Sequence, residues 1–160
     1  VKSYAFLDQA PVQDVNVHEG LNDTLVILRS KLKAGIEVKL EYALDLPRIE
    51  AYGSELNQVW TNIIDNAISA MQGEGILRIK TYFADDCVNV EITDNGKGIP
   101  AEVQPRIFDP FYTTKPPGEG SGMGLNIAYN IIQKHRGQIR VNSKQGETTF
   151  KVSLPSHQET

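Results

Sequence analysis

The chain has 160 residues, 40% apolar and 22% charged, enough for one domain with a real core and too few for two. Sixteen basic against twenty acidic residues give a net charge of −4, and no basic stripe with interleaved aromatics occurs, which excludes nucleic acid as a partner. The single cysteine, Cys87, rules out an internal disulfide and is expected as a buried thiol near the start of an apolar strand, and no apolar run or charged leader suited to a membrane is present.

Residues 1–14, with Pro11 and little apolar periodicity, are expected to be a connecting arm from an upstream segment, since the chain opens on Val1 rather than methionine. Residues 15–157 then form the domain. Asn16 caps a first helix with Glu19 three positions on, Leu21, Leu25, Leu28 and Leu32 share one face, and Ala34–Gly35 ends it. The His18–Glu19 pair is not read as a phosphoacceptor, because it lies in the first turn of an ordinary amphipathic helix with too little chain after it for a helical hairpin. Val38, Leu40, Tyr42 and Leu44 alternate as a strand that stops at Pro47, and Ile49–Ala51 forms a short second one. Ser54 caps the strongest helix, whose apolar face is Leu56, Val59, Trp60, Ile63, Ile64, Ala67 and Met71. Asn62 and Asn66 stand one turn apart on that helix. They are either satisfied polar core residues or a magnesium and phosphate face, since amide oxygens suit a hard cation that keeps most of its waters.

Gly73–Gly75 closes the helix, Leu77, Ile79 and Thr81 alternate as a strand, and Ala84–Asp86 turns the chain back. Val88, Val90 and Ile92 then carry a half-buried strand to Asp94, followed by Asn95–Gly96–Lys97–Gly98–Ile99–Pro100. A buried carboxylate at a strand end needs a donor partner to stay charged, and the exocyclic amine of a nucleobase is one. Gly96 and Gly98 are expected to leave no Cβ where a flat ligand approaches the backbone. After a short helix reaching about residue 107, Phe108–Asp109–Pro110–Phe111–Tyr112–Thr113–Thr114–Lys115–Pro116–Pro117 lacks periodicity and reads as a lid. The glycine cluster Gly118–Gly124 opens directly into a helix with Leu125, Ala128, Ile132 and His135, an arrangement whose free amides and dipole suit an anion. Gly137 ends that helix, which makes His135 a last-turn residue favourable to the dipole. Ile139 and Val141 begin a final hairpin returning through Gly146, and Thr148, Phe150, Val152 and Leu154 share the inward face of its second strand.

These motifs together resemble the ATP-binding catalytic domain of bacterial sensor histidine kinases, in the superfamily shared with gyrase B, MutL and a heat-shock chaperone. Asn62-Ile-Ile-Asp-Asn66-Ala resembles the N box, Asp94-Asn-Gly-Lys-Gly98 the first glycine box, Phe108-Asp-Pro-Phe111 the F box and Gly120-Ser-Gly-Met-Gly124 the second glycine box. The likeness covers residues 15–155 and implies an α/β fold: the two-layer Bergerat sandwich, a mixed sheet covered on one face by three helices, with ATP between helices and lid. It implies that Asp94 accepts the adenine amino group, with a water held by Thr148, and that Asn66 holds Mg²⁺ with Asn62 beside it. Gly96, Gly98, Ile99, Phe108, Thr114, Gly120, Ser121, Gly122, Met123, Gly124 and Leu125 complete the implied nucleotide site, and Lys115 is placed to reach the γ-phosphate.

The gyrase branch has a glutamate one turn before its metal-binding asparagine, and this chain has Asn62 there. An amide takes no proton from water at neutral pH, so the γ-phosphate is expected to be handed to another nucleophile rather than hydrolysed. Ser69 stands where many kinases of this kind carry Lys or Arg, which leaves Lys115 and Mg²⁺ to offset the triphosphate charge. The expected activity is transfer to a histidine on a dimerisation domain outside this chain, in a homodimeric, cytoplasmic sensor kinase that passes the phosphate to a response regulator. An anti-sigma-factor-type serine kinase, an ATP-driven clamp and a degenerate nucleotide-sensing module are the alternatives.

Overall fold

Residues 11–112 and 123–157 are described by a computed structural model. In chain order they form β1 (Gln13–Val15), α1 (Val17–Ile27), the one-turn α2 (Arg29–Leu32), β2 (Ile36–Glu41), β3 (Ile49–Ala51), α3 (Gly53–Met71), β4 (Gly75–Ala84), β5 (Cys87–Asp94), a 3-10 turn (Gln104–Arg106), α4 (Gly124–Lys134), β6 (Gln138–Lys144) and β7 (Glu147–Pro155). Five strands make one mixed sheet in the order β2-β4-β5-β7-β6, with only β2 and β4 parallel. Alternation sorts the sheet into two faces. Leu77, Ile79, Val88, Val90, Ile92, Phe150, Val152 and Leu154 are buried on one face, whereas Arg78, Lys80, Arg140 and Asn142 are exposed on the other.

The buried face meets a helical layer. Val17 and Leu21 of α1, Leu56, Val59, Trp60, Ile63, Ile64 and Ala67 of α3, and Ala128 and Ile132 of α4 complete the core. This is the expected α/β arrangement, and α3 lies central in it. The β4–β5 hairpin turns on Asp85 and Asp86, both left-handed (φ 57° and 58°), the two-residue turn whose twist matches the flanking strands.

Five local expectations differ. The last residues of the expected arm are a strand: β1 pairs antiparallel with β3, Gln13 opposite Ala51 and Val15 opposite Ile49. The first helix does not run unbroken to Ala34, because the backbone at Leu28 leaves the helical region (φ −93°, ψ 6°) after the β-branched pair Val26–Ile27. Leu28 and Leu32 still reach the core from α2 and its cap. Strand β2 stops at Glu41, and Leu44 is 99% exposed, because the chain leaves the sheet for the loop to β3. Ser54 does not cap α3. The cap is Tyr52, which offers no side-chain bond and sends its own N–H to His135 Nε2 at 3.1 Å. Cys87 is half-buried rather than enclosed.

Asn16 does cap α1, its side chain accepting from the His18 N–H at 3.0 Å. Replacing Asn16 with alanine is expected to cost about 1 kcal/mol, read as a lower denaturation midpoint in urea with an unchanged slope.

Candidate functional site

The site is built on one stripe of α3. Positions 62, 66 and 70 stand four residues apart, so each lies one turn beyond the last, about 6 Å along the axis. At the first of them, Asn62 Nδ2 donates to the Gly124 carbonyl at 2.9 Å, which fixes the start of α4. At the third, the Ala70 carbonyl accepts from the Lys97 N–H at 3.3 Å, which fixes the loop after β5. Between them stands Asn66, half-buried, its side chain making no hydrogen bond among the described residues.

Strand β5 delivers Asp94 to this stripe. The residue is 2% exposed, with Thr148 of β7 on one side and Leu77 of β4 on the other. Asp94 Oδ1 accepts from the Gly96 N–H at 2.9 Å. Burial pushes the carboxyl above its ordinary range, and the Gly96 bond opposes that rise without cancelling it. Thr148, also 2% exposed, shares a 2.6 Å hydroxyl bond with Ser143, and Ser143 Oγ accepts from the Ile99 N–H at 2.8 Å. Gln104 Nε2 bonds the carbonyls of Ile99 and Ser143 at 2.8 and 3.1 Å. Asp94, Thr148 and Ile99 are thus brought together. Ser143 and Gln104 escaped the sequence reading, although Ser143, in phase with Ile139 and Val141 and opposite Thr148, carried a signal.

The glycines act differently from expectation. A Cβ on Gly96 would lie 2.5 Å from the Ala70 carbonyl oxygen, and one on Gly98 would lie 2.5 Å from that of Lys144. Gly98 also has φ +83°. The missing side chains therefore make room for the protein's own backbone, and the loop is shaped before any ligand arrives. Gly124 is the contrast, since a Cβ there would meet Asn62 at an ordinary 3.9 Å.

Helix α4 begins at Gly124, after Met123, whose carbonyl accepts from Ile127 N at 2.8 Å. Leu125 lies in its first turn, half-buried. The Phe108 ring packs at 5.6 Å from that of Tyr129 and 6.3 Å from that of Phe150, and Asn126 Nδ2 donates to its carbonyl at 2.9 Å. Phe108 thus anchors the segment to α4 and the core, while Phe111 is 74% exposed with φ 66°. Thr114, Lys115, Gly120, Ser121 and Gly122 lie outside the described residues, as does the second half of the expected lid.

Neither distant histidine joins the site. His18 Nε2 bonds Thr81 Oγ1 at 2.8 Å and its ring stacks on Tyr42 at 4.1 Å, where burial pushes its pKa down. That supports excluding it as a phosphoacceptor. His135 bonds the Ile131 carbonyl through Nδ1 at 2.8 Å and accepts the Tyr52 N–H through Nε2, so it caps α4 and ties it to the start of α3. Among the described residues no three His, Cys, Asp or Glu side chains cluster to hold a metal, and no helix is long and apolar enough to cross a membrane.

With strand, stripe and helix start so arranged, the chain belongs to the histidine kinase-, DNA gyrase B- and HSP90-like ATPase family, whose model matches residues 52–158. It is similar to an ATP-binding catalytic domain of sensor histidine kinases in particular. It is 37% identical to the signal transduction histidine-protein kinase AtoS of Escherichia coli over 89% of this chain and 24% of that protein. It is 33% identical to sporulation kinase E of Bacillus subtilis over 91% of this chain and 20% of that one. The solved catalytic domain of the histidine kinase ThkA superposes with a TM-score of 0.84 at 30% identity, covering 93% of this chain and 100% of that one. The chain therefore spans about a quarter or less of the length of those two curated relatives.

Two outcomes test the site. Because burial raises the Asp94 pKa, the folded state binds the proton more tightly than the unfolded chain. Stability linked to Asp94 is full at low pH and is lost as pH rises through its raised pKa. Asp94→Asn is therefore expected to raise the melting midpoint of the nucleotide-free chain at neutral pH, with the gain shrinking as pH falls through that range. Gly124→Ala, whose methyl has room among the described residues, is expected to leave the thermal midpoint within about 2 °C while weakening nucleotide binding about tenfold or more.

Proposed function

We propose that this chain binds Mg-ATP and transfers the γ-phosphoryl group to a histidine on a separate dimerisation segment of its parent, a two-component sensor histidine kinase. The observation that carries the reading is the α3 stripe, with the buried Asp94 loop fastened at Ala70, the α4 start fastened at Asn62 and the unbonded amide of Asn66 between them. The 62-to-70 span of about 12 Å suits a nucleoside triphosphate laid along the helix, base at Asp94 and phosphates at α4.

Each residue has a chemical task. Asp94 accepts the adenine amino proton through its carboxylate, with Thr148 and Ser143 fixing the hydroxyls beside it. Gly96, Gly98 and Ile99 hold the base-side loop. Gly124 and Leu125 would offer first-turn amides to the phosphates, and the resemblance assigns Met123, Gly120, Ser121, Gly122, Thr114 and Lys115 to the same nucleotide. The half-buried Asn66 amide oxygen fits Mg²⁺, a hard cation that takes few protein ligands beside phosphate and water. Bound there, the ion would supply charge neutralisation to the triphosphate.

The transfer itself breaks the bond from the γ-phosphorus to the β-bridging oxygen and forms one to an imidazole nitrogen, with ADP leaving. Asn62 does not act as a base, because its amide is already engaged by Gly124 and Gln58. No carboxylate stands in its place to activate water, which favours transfer over hydrolysis. Residues 1–14 would join the dimerisation segment of a homodimeric, cytoplasmic parent, with a response regulator as the next acceptor. A ThkA structure that includes the response regulator TrrA supports this partner class, matching 91% of this chain at 29% identity and a TM-score of 0.78.

Calorimetric titration of ATP with and without Mg²⁺ tests the reading. Wild type is expected to bind, Asp94→Asn to lose binding, and phosphate release to stay near background until a histidine-bearing dimerisation segment is added. Brisk hydrolysis by the isolated chain would overturn the role given to Asn62, and absence of binding would overturn the whole reading.

A further inference from the structure

The stripe on α3 extends one turn further back than the ATP-site residues named so far. Gln58 stands four residues before Asn62, and its Nε2 donates to Asn62 Oδ1 at 2.8 Å. Asn62 in turn donates from Nδ2 to the Gly124 carbonyl at 2.9 Å. An asparagine amide presents an acceptor on one side and donors on the other, and a half-turn about its last bond exchanges them. Only one of the two orientations suits Gly124, whose carbonyl can accept but not donate. Gln58 donates to the opposite edge in that same orientation, and since its own amide can turn over as well, it holds the orientation that Gly124 selects.

We propose that Gln58 is a positioning residue of the nucleotide site: by holding the Asn62 amide in the orientation that the Gly124 carbonyl selects, it fastens the first residue of α4, and so the phosphate-side end of the site, to the helix that carries Asn66. The proposal rests on the Mg-ATP reading for its functional consequence and on the two hydrogen bonds for its mechanism. Gln58 is solvent-exposed and contributes nothing to the apolar core, so helix packing gives it no other task. Asn62 is half-buried, with its bond to Gln58 on the exposed side, where water competes for the Oδ1 edge.

The chemistry of replacement makes the test specific. Glutamate is as good a helix former as glutamine, nearly the same size, and acceptor-only when ionised. At position 58 it repels Asn62 Oδ1, turns the amide over and sets Oδ1 against the Gly124 carbonyl. Methionine removes the donor but imposes no wrong orientation, so Gly124 alone still favours the right one. Simple electrostatics has the opposite sign, because a negative charge near the first turn of α4 stabilises that helix. Amide exchange in the nucleotide-free chain therefore separates the two. Exchange at Ile127, whose N–H bonds the Met123 carbonyl at 2.8 Å, and at its first-turn neighbours is measured for wild type, Gln58→Met and Gln58→Glu.

The expected order of exchange rates is Gln58→Glu, then Gln58→Met, then wild type, with Gln58→Glu about tenfold faster than wild type and thermal midpoints unchanged. Mg-ATP affinity measured in about 0.5 M salt, where Coulombic effects of the new charge are screened, should fall in the same order. Equal rates in all three proteins, or slower exchange in Gln58→Glu, would overturn the proposal. So would equal effects of methionine and glutamate, which would mean that only bulk matters at this position. If wild type fails to bind Mg-ATP, the functional reading falls while the exchange order still decides whether Gln58 holds the start of α4.

Discussion

The contact between the Gly96–Lys97 backbone and the carbonyl of Ala70 is the constraint on which the site depends, because it joins the end of a central strand to the last turns of the central helix. A one-residue slip of strand β5 along its neighbours would turn its apolar set outward, so Val88, Val90 and Ile92 hold the register with β4 and β7 against it. Once that register is set, Asp94 ends at one height in the sheet. The Lys97 N–H and the close fit of Gly96 then determine how far from α3 that carboxylate stands. A side chain at either glycine of this loop would meet backbone rather than a movable group. The separation of Asp94 from Asn66 is therefore a property of the folded core and needs no ligand to establish it.

A second set of bonds brings the opposite end of the site to the same helix. Asn62 holds Gly124, and His135, at the far end of α4, holds the N–H that precedes α3. Helix α4 is thus tied to α3 at both of its ends, through a carbonyl at one and a ring nitrogen at the other. Polar groups that bury themselves near the site are matched: Thr148, Ser143 and the Ile99 amide form a chain of short bonds. Asp94 stands apart from that pattern. It carries a charge into a place where burial opposes charge, and it keeps only one short bond of its own among the described residues. A folded protein tolerates such a group where binding rather than stability has shaped the residue.

Much of this was legible from residue order. The alternation into Asp94, the inward run Thr148–Phe150–Val152–Leu154 and the wide apolar face of α3 all follow from period, and each was found where it was expected. What escaped was non-local or depended on competition between local signals. The β1–β3 ribbon joins two three-residue strands far apart in sequence, and neither carries enough pattern to announce its partner. Ser54 is a good cap by type, yet α3 starts two residues earlier, where His135, distant in the chain, takes the Tyr52 N–H. The two glycines of the Asp94 loop were correctly seen as special, but what crowds them is the chain's own backbone, which no local pattern reveals. Gln58 looked like an ordinary exposed helix residue until Asn62 gave it a partner.

The two outermost strands of the sheet, β2 and β6, leave rows of peptide groups open to pairing with any other chain. Both rims are armed against it. Glu37 and Glu41 stand exposed along β2, with Lys39 3.9 Å from Glu37, and Gln138, Arg140 and Lys144 line β6. A foreign strand laid against either rim would have to bring complementary charge in the right order or bury unpaired ions. The same strands that frame the core thus also dictate, by the order of charge along each rim, which strand could ever be laid against them.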